Sequence, residues 1–410
     1  MRKRTLITGI GVVSPIGIGK EAFWQNLFEG RSGFRPITLF DTSDLKVKIA
    51  GEITEFNPKE ILGKEGLMDL DRATLLLLSA AKLALDDAHL EIKEENTYRT
   101  GVSVGTTFGS LYSMSKFDRE SLTEGPRYAN PSIFPSMVGN SPASRISIRF
   151  KIKGFNTTIS TGMCAALDAL AYAQDCIRLD RSDAILVGSV EDLAIQTFLG
   201  FYRLKYLAGL KNNLEVMSCP FDKRRNGIIF AEGAVVLVVQ DSESAKRMKV
   251  HSYGEVLGIG SSFDPAKFYK YNPKGEVMKK AMKLALEDAG LTVSDIDCIF
   301  ANANSTKDAD LIETEAVKDA FGNYAKKIPI TAVKSMLGEA YSVSGGFSAL
   351  AALGALEEGI IPPTMNYKEK DEFCDLDYVL NKPRKADLTR MMINTFDPNG
   401  ACTSVIVGKV

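Results

Sequence analysis

The chain is poor in histidine. Only His89 and His251 occur in 410 residues. Histidine is the usual general base near neutral pH, so acid–base chemistry has few places to come from. A charge of one sign is also missing: 50 Lys and Arg stand against 51 Asp and Glu, for a net charge of -1. That excludes the basic excess or stripe expected of a nucleic-acid-binding protein. No apolar run reaches the roughly 18 residues needed for a membrane span. The N-terminus begins basic but meets glycines within a few residues, so it reads as a strand and turn rather than a signal peptide. The six cysteines, at 164, 176, 219, 298, 374 and 402, form no CxxC pair. Cys164, Cys176, Cys298 and Cys402 sit in apolar runs, which fits reduced thiols and a cytoplasmic location better than a disulfide framework.

What is present is an α/β pattern. Val- and Ile-rich runs at 5–10, 100–104, 183–188, 234–240, 298–301 and 403–408 read as strands buried on both faces. Helical patterns fall between them at 70–88, 164–179, 275–289, 310–320 and 345–358. The helices also carry a repeat. KLALDDAHL at 82–90 and KLALEDAGL at 283–291 agree at seven of nine positions, 201 residues apart. Each copy precedes a strand and a Gly/Ser/Thr-rich turn. Two related halves are therefore expected, 1–248 and 249–410, with a charged seam near 245–255. The loop GIGVVS at 9–14 starts like a dinucleotide fingerprint but lacks the third glycine. Lys223, Arg224 and Arg225 read as a solvated turn, with weak potential to dock an acidic carrier.

One stretch suits a nucleophile. STGMCAALDALAYA (160–173) ends a strand and opens a nearly uncharged helix. A helix N-terminus directs free N–H groups and a positive dipole end at that elbow, which favours a thiolate or oxyanion. On composition alone, an ordinary core helix with a buried Met and Cys explains it better.

Three further stretches decide between these: ANANST at 301–306, KSMLGEAYSVSGG at 334–346 and NTFDPNGACTS at 394–404. With TLITGIGVVSPIG and PFDKRRNGIIFAEGA, they make the chain resemble, end to end, the β-ketoacyl synthase family. The resemblance implies a thiolase-like fold of two related halves in a five-layered αβαβα arrangement. It also implies three departures. The family's nucleophilic Cys lies in S-T-G/A-C-x-S-G-L-D-A, and Met163 falls on it, while Ser160, Thr161, Gly162, Leu167, Asp168 and Ala169 match. The first catalytic His of A-H-G-T-S-T falls on Asn302. The second, in K-S-M-x-G-H, falls on Glu339, with Lys334 retained. The G-F-G-G turn reads Asp397-Pro398-Asn399-Gly400.

These losses remove the chemistry. A thioether has no proton to lose and cannot hold an acyl chain as a thioester. Asn302 keeps one hydrogen-bond donor, but an ionised Glu339 only accepts. His89 and His251 lie elsewhere. Cys164 is the alternative nucleophile, giving an active condensing or malonyl-decarboxylating synthase. However, adjacent helix residues point about 100° apart, and the downstream Leu-Asp-Ala match fixes Met163 at the Cys position.

Family members without the Cys and His set are chain-length factors, subunits that pair with an active ketosynthase. The resemblance thus implies a catalytically inactive heterodimer partner. It would shape a cavity for polyketide elongation on the phosphopantetheine arm of an acyl carrier protein, with no bound cofactor or metal. Aromatic polyketides are favoured, polyenes next. Ser110, Ser113 and Phe117 share one helical face at i, i+3 and i+7 and align with the positions that limit cavity depth. The serines would leave room and Phe117 would close the floor. The same face is equally explained as an amphipathic interface helix.

Overall fold

The computed structural model describes residues 3–68, 70–210, 214–265 and 270–410. Its main strands are β1 (Thr5–Ser14), β2 (Thr100–Gly105), β3 (Asn156–Ile159), β4 (Ala184–Glu191), β5 (Gly233–Asp241), β6 (Gly254–Phe263), β7 (Cys298–Phe300), β8 (Ile330–Thr331), β9 (Arg390–Phe396) and β10 (Ala401–Gly408). Its main helices are α1 (Lys20–Phe28), α2 (Arg72–Asp87), α3 (Leu111–Thr123), α4 (Ser141–Phe150), α5 (Ala165–Arg178), α6 (Ile195–Arg203), α7 (Glu276–Ala289), α8 (Lys307–Phe321) and α9 (Ser344–Glu358). Every strand and helix expected from sequence patterning is present. The patterning missed β6, whose glycines dilute the β signal, and β9, whose methionines and asparagine do the same.

Strand order exposes the duplication. The first half runs β3-β2-β4-β5-β1 and the second β8-β7-β9-β10-β6. In each, the first three strands are mutually parallel, the fourth pairs antiparallel with the third, and the fifth pairs antiparallel with the fourth. The halves meet edge to edge, with Leu6 opposite Glu255 and Ile7 opposite Gly254. One core packs α2 onto the outer face of the first sheet and another packs α7 and α8 onto the second. The third lies between the sheets around α1, α5 and α9. That gives the five layers of a thiolase-like fold. The central helix α9 is buried from Ser344 to Leu356, as an all-round apolar helix must be.

The repeat has a physical cause. Each half presses its repeat helix against the glycine pair of its first strand. A Cβ on Gly9 would lie 2.5 Å from the Ala84 carbonyl oxygen, and one on Gly258 2.5 Å from that of Ala285. Gly11 and Gly260 meet Ala80 and Ala281 in the same way. Each repeat helix also ends on a carboxylate that accepts a strand N–H: Asp87 from Ile10 at 2.8 Å, Asp288 from Ile259 at 3.1 Å. The glycines of GIGVVS therefore serve helix–strand packing rather than a nucleotide. His89 ends the first repeat helix with a left-handed backbone, where the second copy has Gly290.

The basic run is only in part the solvated turn its charge suggested: Lys223 is exposed, but the arginines are engaged. Arg224 binds Asp222, and Arg225 is buried, with an ion pair to Asp371 at 2.5 Å. Asp222 and Asp310 next to these arginines supply the compensation that made burial tolerable.

Candidate functional site

The elbow lies between β3 and α5. Its 3₁₀ turn, Gly162–Cys164, runs into α5 without a break. Gly162 has φ +63°, a left-handed backbone that favours glycine. Met163 is fully buried, in a cluster with Phe198, Phe201, Phe230 and Tyr341. Phe201 stacks within 5.6 Å of Tyr341 and 5.2 Å of Phe230. Asp168, in the first turn of α5, accepts from Thr161 at 2.5 Å and Thr403 at 2.6 Å. These hydroxyls pin the helix start to β10.

Cys164 faces the second sheet. Its thiol donates toward the carbonyls of Thr395 at 3.2 Å and Ala401 at 3.3 Å. Burial pushes its pKa well above the ordinary thiol value, and nearby Asp168 pushes it further. A protonated, fully buried thiol is a poor nucleophile.

Opposite the elbow, Asn302 follows β7, and Lys334 and Glu339 flank the helical turn Lys334–Leu337. All three are buried. Lys334 Nζ donates to Asn302 Oδ1 and to Glu339 Oε2, each at 2.9 Å. Glu339 also accepts from Ser344 at 2.6 Å, the Tyr341 N–H at 3.1 Å and Asn304 at 3.3 Å. Asn302 spends its amide on the Phe396 carbonyl at 3.1 Å and its backbone N–H on Glu313. Burial pushes the Glu313 carboxyl up to about 7. The lysine thus forms a closed ion pair, and Asn302, Lys334 and Glu339 all have partners within the protein.

A cleft of about 830 Å³ opens beside this network, with Lys205, Tyr206, Lys270, Tyr271, Thr306 and Lys307 among its walls. Thr306 reaches inward through Asn304 Oδ1 at 2.8 Å. At the inner end, Tyr271 donates to the Phe396 carbonyl at 3.1 Å. The expected depth-setting positions lie apart from this cleft. Ser110 precedes α3 and is buried, Ser113 donates to Asp71 at 3.0 Å, and Phe117 is half-buried on the same helix. His89 is exposed, and exposed His251 contacts Glu357 at 3.2 Å.

Sequence reading set the turn at 397–400 aside as a lost glycine motif and missed what replaces it. The Asp397 carboxylate accepts from the Met163 N–H at 2.9 Å and the Asn399 N–H at 2.7 Å. The Asp-Pro-Asn order is a turn signal that could have found the second bond. Nothing local could have found the first, which spans 234 residues.

Fold and site together define a thiolase-type acyl-transfer scaffold that has Met at its nucleophile elbow. The chain belongs to the β-ketoacyl synthase family. The model of the β-ketoacyl synthase N-terminal domain matches residues 2–245, and that of the C-terminal domain matches 253–368. A 3-oxoacyl-[acyl-carrier-protein] synthase 2 of Coxiella burnetii is 33% identical over 410 residues, covering 100% of this chain and 99% of the relative. Among solved structures, the ishigamide ketosynthase/chain length factor aligns with TM-score 0.93 and 32% identity, covering 100% of both chains. A type II polyketide ketosynthase solved in complex with its acyl-carrier protein, AntDE:AntF, aligns at TM-score 0.91 and 27% identity, again over 100% of both chains.

Proposed function

We propose that this chain is the non-condensing partner of an active β-ketoacyl synthase, a chain-length factor. In a heterodimer it shapes the cavity into which the synthase extends a polyketide carried on the phosphopantetheine arm of an acyl carrier protein. The observation that carries this reading is the site itself: a buried thioether at the position that aligns with the nucleophile, and a buried lysine ion-paired with Glu339. Neither acyl-enzyme formation nor enolate stabilisation has a group to perform it.

Two surface features support a partner. Strand β3 forms an outer edge of the sheet, and among the described residues no strand pairs with its far side. Its counterpart in the second half, β8, is covered: Ile330 exchanges hydrogen bonds with Asp377 and Val379. A bare edge is a template for another chain. Beside it, exposed Tyr112, Met114, Leu122, Tyr128, Phe134, Val138 and Ile148 all lie within 37 residues of sequence, 112–148. Apolar surface so concentrated marks an interface.

The names of the 3-oxoacyl synthase relatives favour a second reading, a condensing enzyme that uses Cys164. The experiment that separates the two is co-expression with a Cys/His/His synthase and an acyl carrier protein. A 1:1 heterodimer, with the acyl adduct only on the partner by intact mass, is expected. An adduct on Cys164, or condensation by this chain alone, overturns the proposal.

A further inference from the structure

The elbow has lost more than its sulfur. Acylation of any nucleophile there passes through a tetrahedral oxyanion, which needs N–H groups aimed at it. The N–H groups of Met163 and Cys164 at the elbow, and those of the facing turn, are committed. That of Met163 donates to Asp397 Oδ2 at 2.9 Å, and that of Cys164 is directed at the Thr161 carbonyl. In the facing turn, Asp397 N–H donates to Ala401 O, Asn399 N–H to Asp397 Oδ1 and Gly400 N–H to Asp397 O. Pro398 has none to offer. The Asp397 carboxylate also packs on the bare Cα of Gly162, where a Cβ would overlap Oδ2. It is 2% exposed, and no Lys or Arg pairs with it among the salt bridges of the described residues.

We propose that the 397–400 turn is a built-in plug: Asp397 fills the anion position at the Met163 N–H, so restoring a thiol alone does not restore acyl transfer. This inference rests on the reading of an inert elbow but concerns a separate cause of inertness. The carboxylate acts twice. It takes the donor an oxyanion would use, and once ionised, at the alkaline pH where thiols react, its negative charge disfavours a thiolate beside it. Burial raises the Asp397 pKa, against the opposing pull of the hydrogen bonds from the Met163 and Asn399 N–H groups and the Tyr341 side chain.

The test uses the full chain carrying M163C, with or without D397G, treated with the hexanoyl thioester of N-acetylcysteamine. In the reaction the introduced thiolate attacks the thioester carbonyl carbon. A new C–S bond forms, charge passes to the carbonyl oxygen, and collapse expels the N-acetylcysteamine thiolate. Losing one oxyanion donor typically costs about 10²–10³-fold in rate. M163C/D397G should therefore acylate at least tenfold faster than M163C, read by intact mass and peptide mapping. Equal rates, including no reaction in either, overturn the proposal. Iodoacetamide, whose displacement needs no oxyanion, isolates the charge effect. M163C/D397N keeps the side-chain shape and drops the charge, so it should alkylate faster than M163C even if D397G does not fold. No gain with D397N would likewise overturn the plug. Neither result bears on whether the wild-type chain pairs with a synthase, so failure here leaves the partner reading to its own test.

Discussion

The two sides of the site have dealt with buried charge in opposite ways. On the lysine side a cation and a carboxylate compensate each other: Lys334 and Glu339 meet at 2.9 Å with side chains 3% and 1% exposed. On the elbow side a carboxylate stands without a cation among the described residues and is held by two backbone N–H groups and the Tyr341 side chain. A paired buried charge is costly to break. An unpaired one titrates and is cheap to neutralise. Residues that replace a reaction centre must still satisfy the polar groups left behind, and the two sides show two solutions.

The largest expected effect breaks the pair. Lys334→Met leaves Glu339 buried with no counter-charge and should cost about 3–5 kcal/mol of stability in urea unfolding. Lys334→Met with Glu339→Gln should recover more than half of that loss. If the single variant is no worse than the double, the lysine side is not a compensated pair and the comparison fails.

Much of this was legible in advance. Most strands and helices and the repeat follow from local patterns, because period and glycine placement are local properties, while Met163, Asn302 and Glu339 were singled out by the resemblance to the family's motifs. The partners were not legible. Asn304 and Ser344 complete the Glu339 shell only because a turn and a helix start converge there. Asp397 reaches Met163 across most of the chain. The burial of Arg225 was hidden for the same reason: its partner Asp371 lies 146 residues away.

The second effect is smaller and sharpens the contrast through pH. Burial pushes Glu191 and Glu313 up to about 7 and Asp310 to about 6, from ordinary carboxyl values of 4.5 and 3.8, and raises Asp397 as well. A carboxyl with a raised folded pKa binds its proton more tightly folded than unfolded. Its contribution is therefore fully present below the unfolded value and is lost as pH climbs through the folded one. The melting temperature should fall by several degrees between about pH 5 and pH 7.5. D397N should flatten part of that decline. A melting temperature that rises over this window would show that these carboxyls are not held protonated by burial.

The smallest effect concerns what either side is for. If the site is inert and the chain serves its partner, product length should depend on the interface helix α3 rather than on the elbow. Phe117 is half-buried there, flanked by exposed Tyr112, Met114 and Leu122. Phe117→Ala in the heterodimer should open the cavity floor and lengthen the product by one or two extension units, read by mass spectrometry of the released chain. Deleting a half-buried side chain at a helix surface should cost less stability than the 3–5 kcal/mol typical of a core phenylalanine, so the complex should still form. Met163→Ala, at the elbow, should leave product length unchanged. If Met163→Ala shifts the product and Phe117→Ala does not, the growing chain passes the elbow, and the cavity belongs to this subunit's own site rather than to the interface.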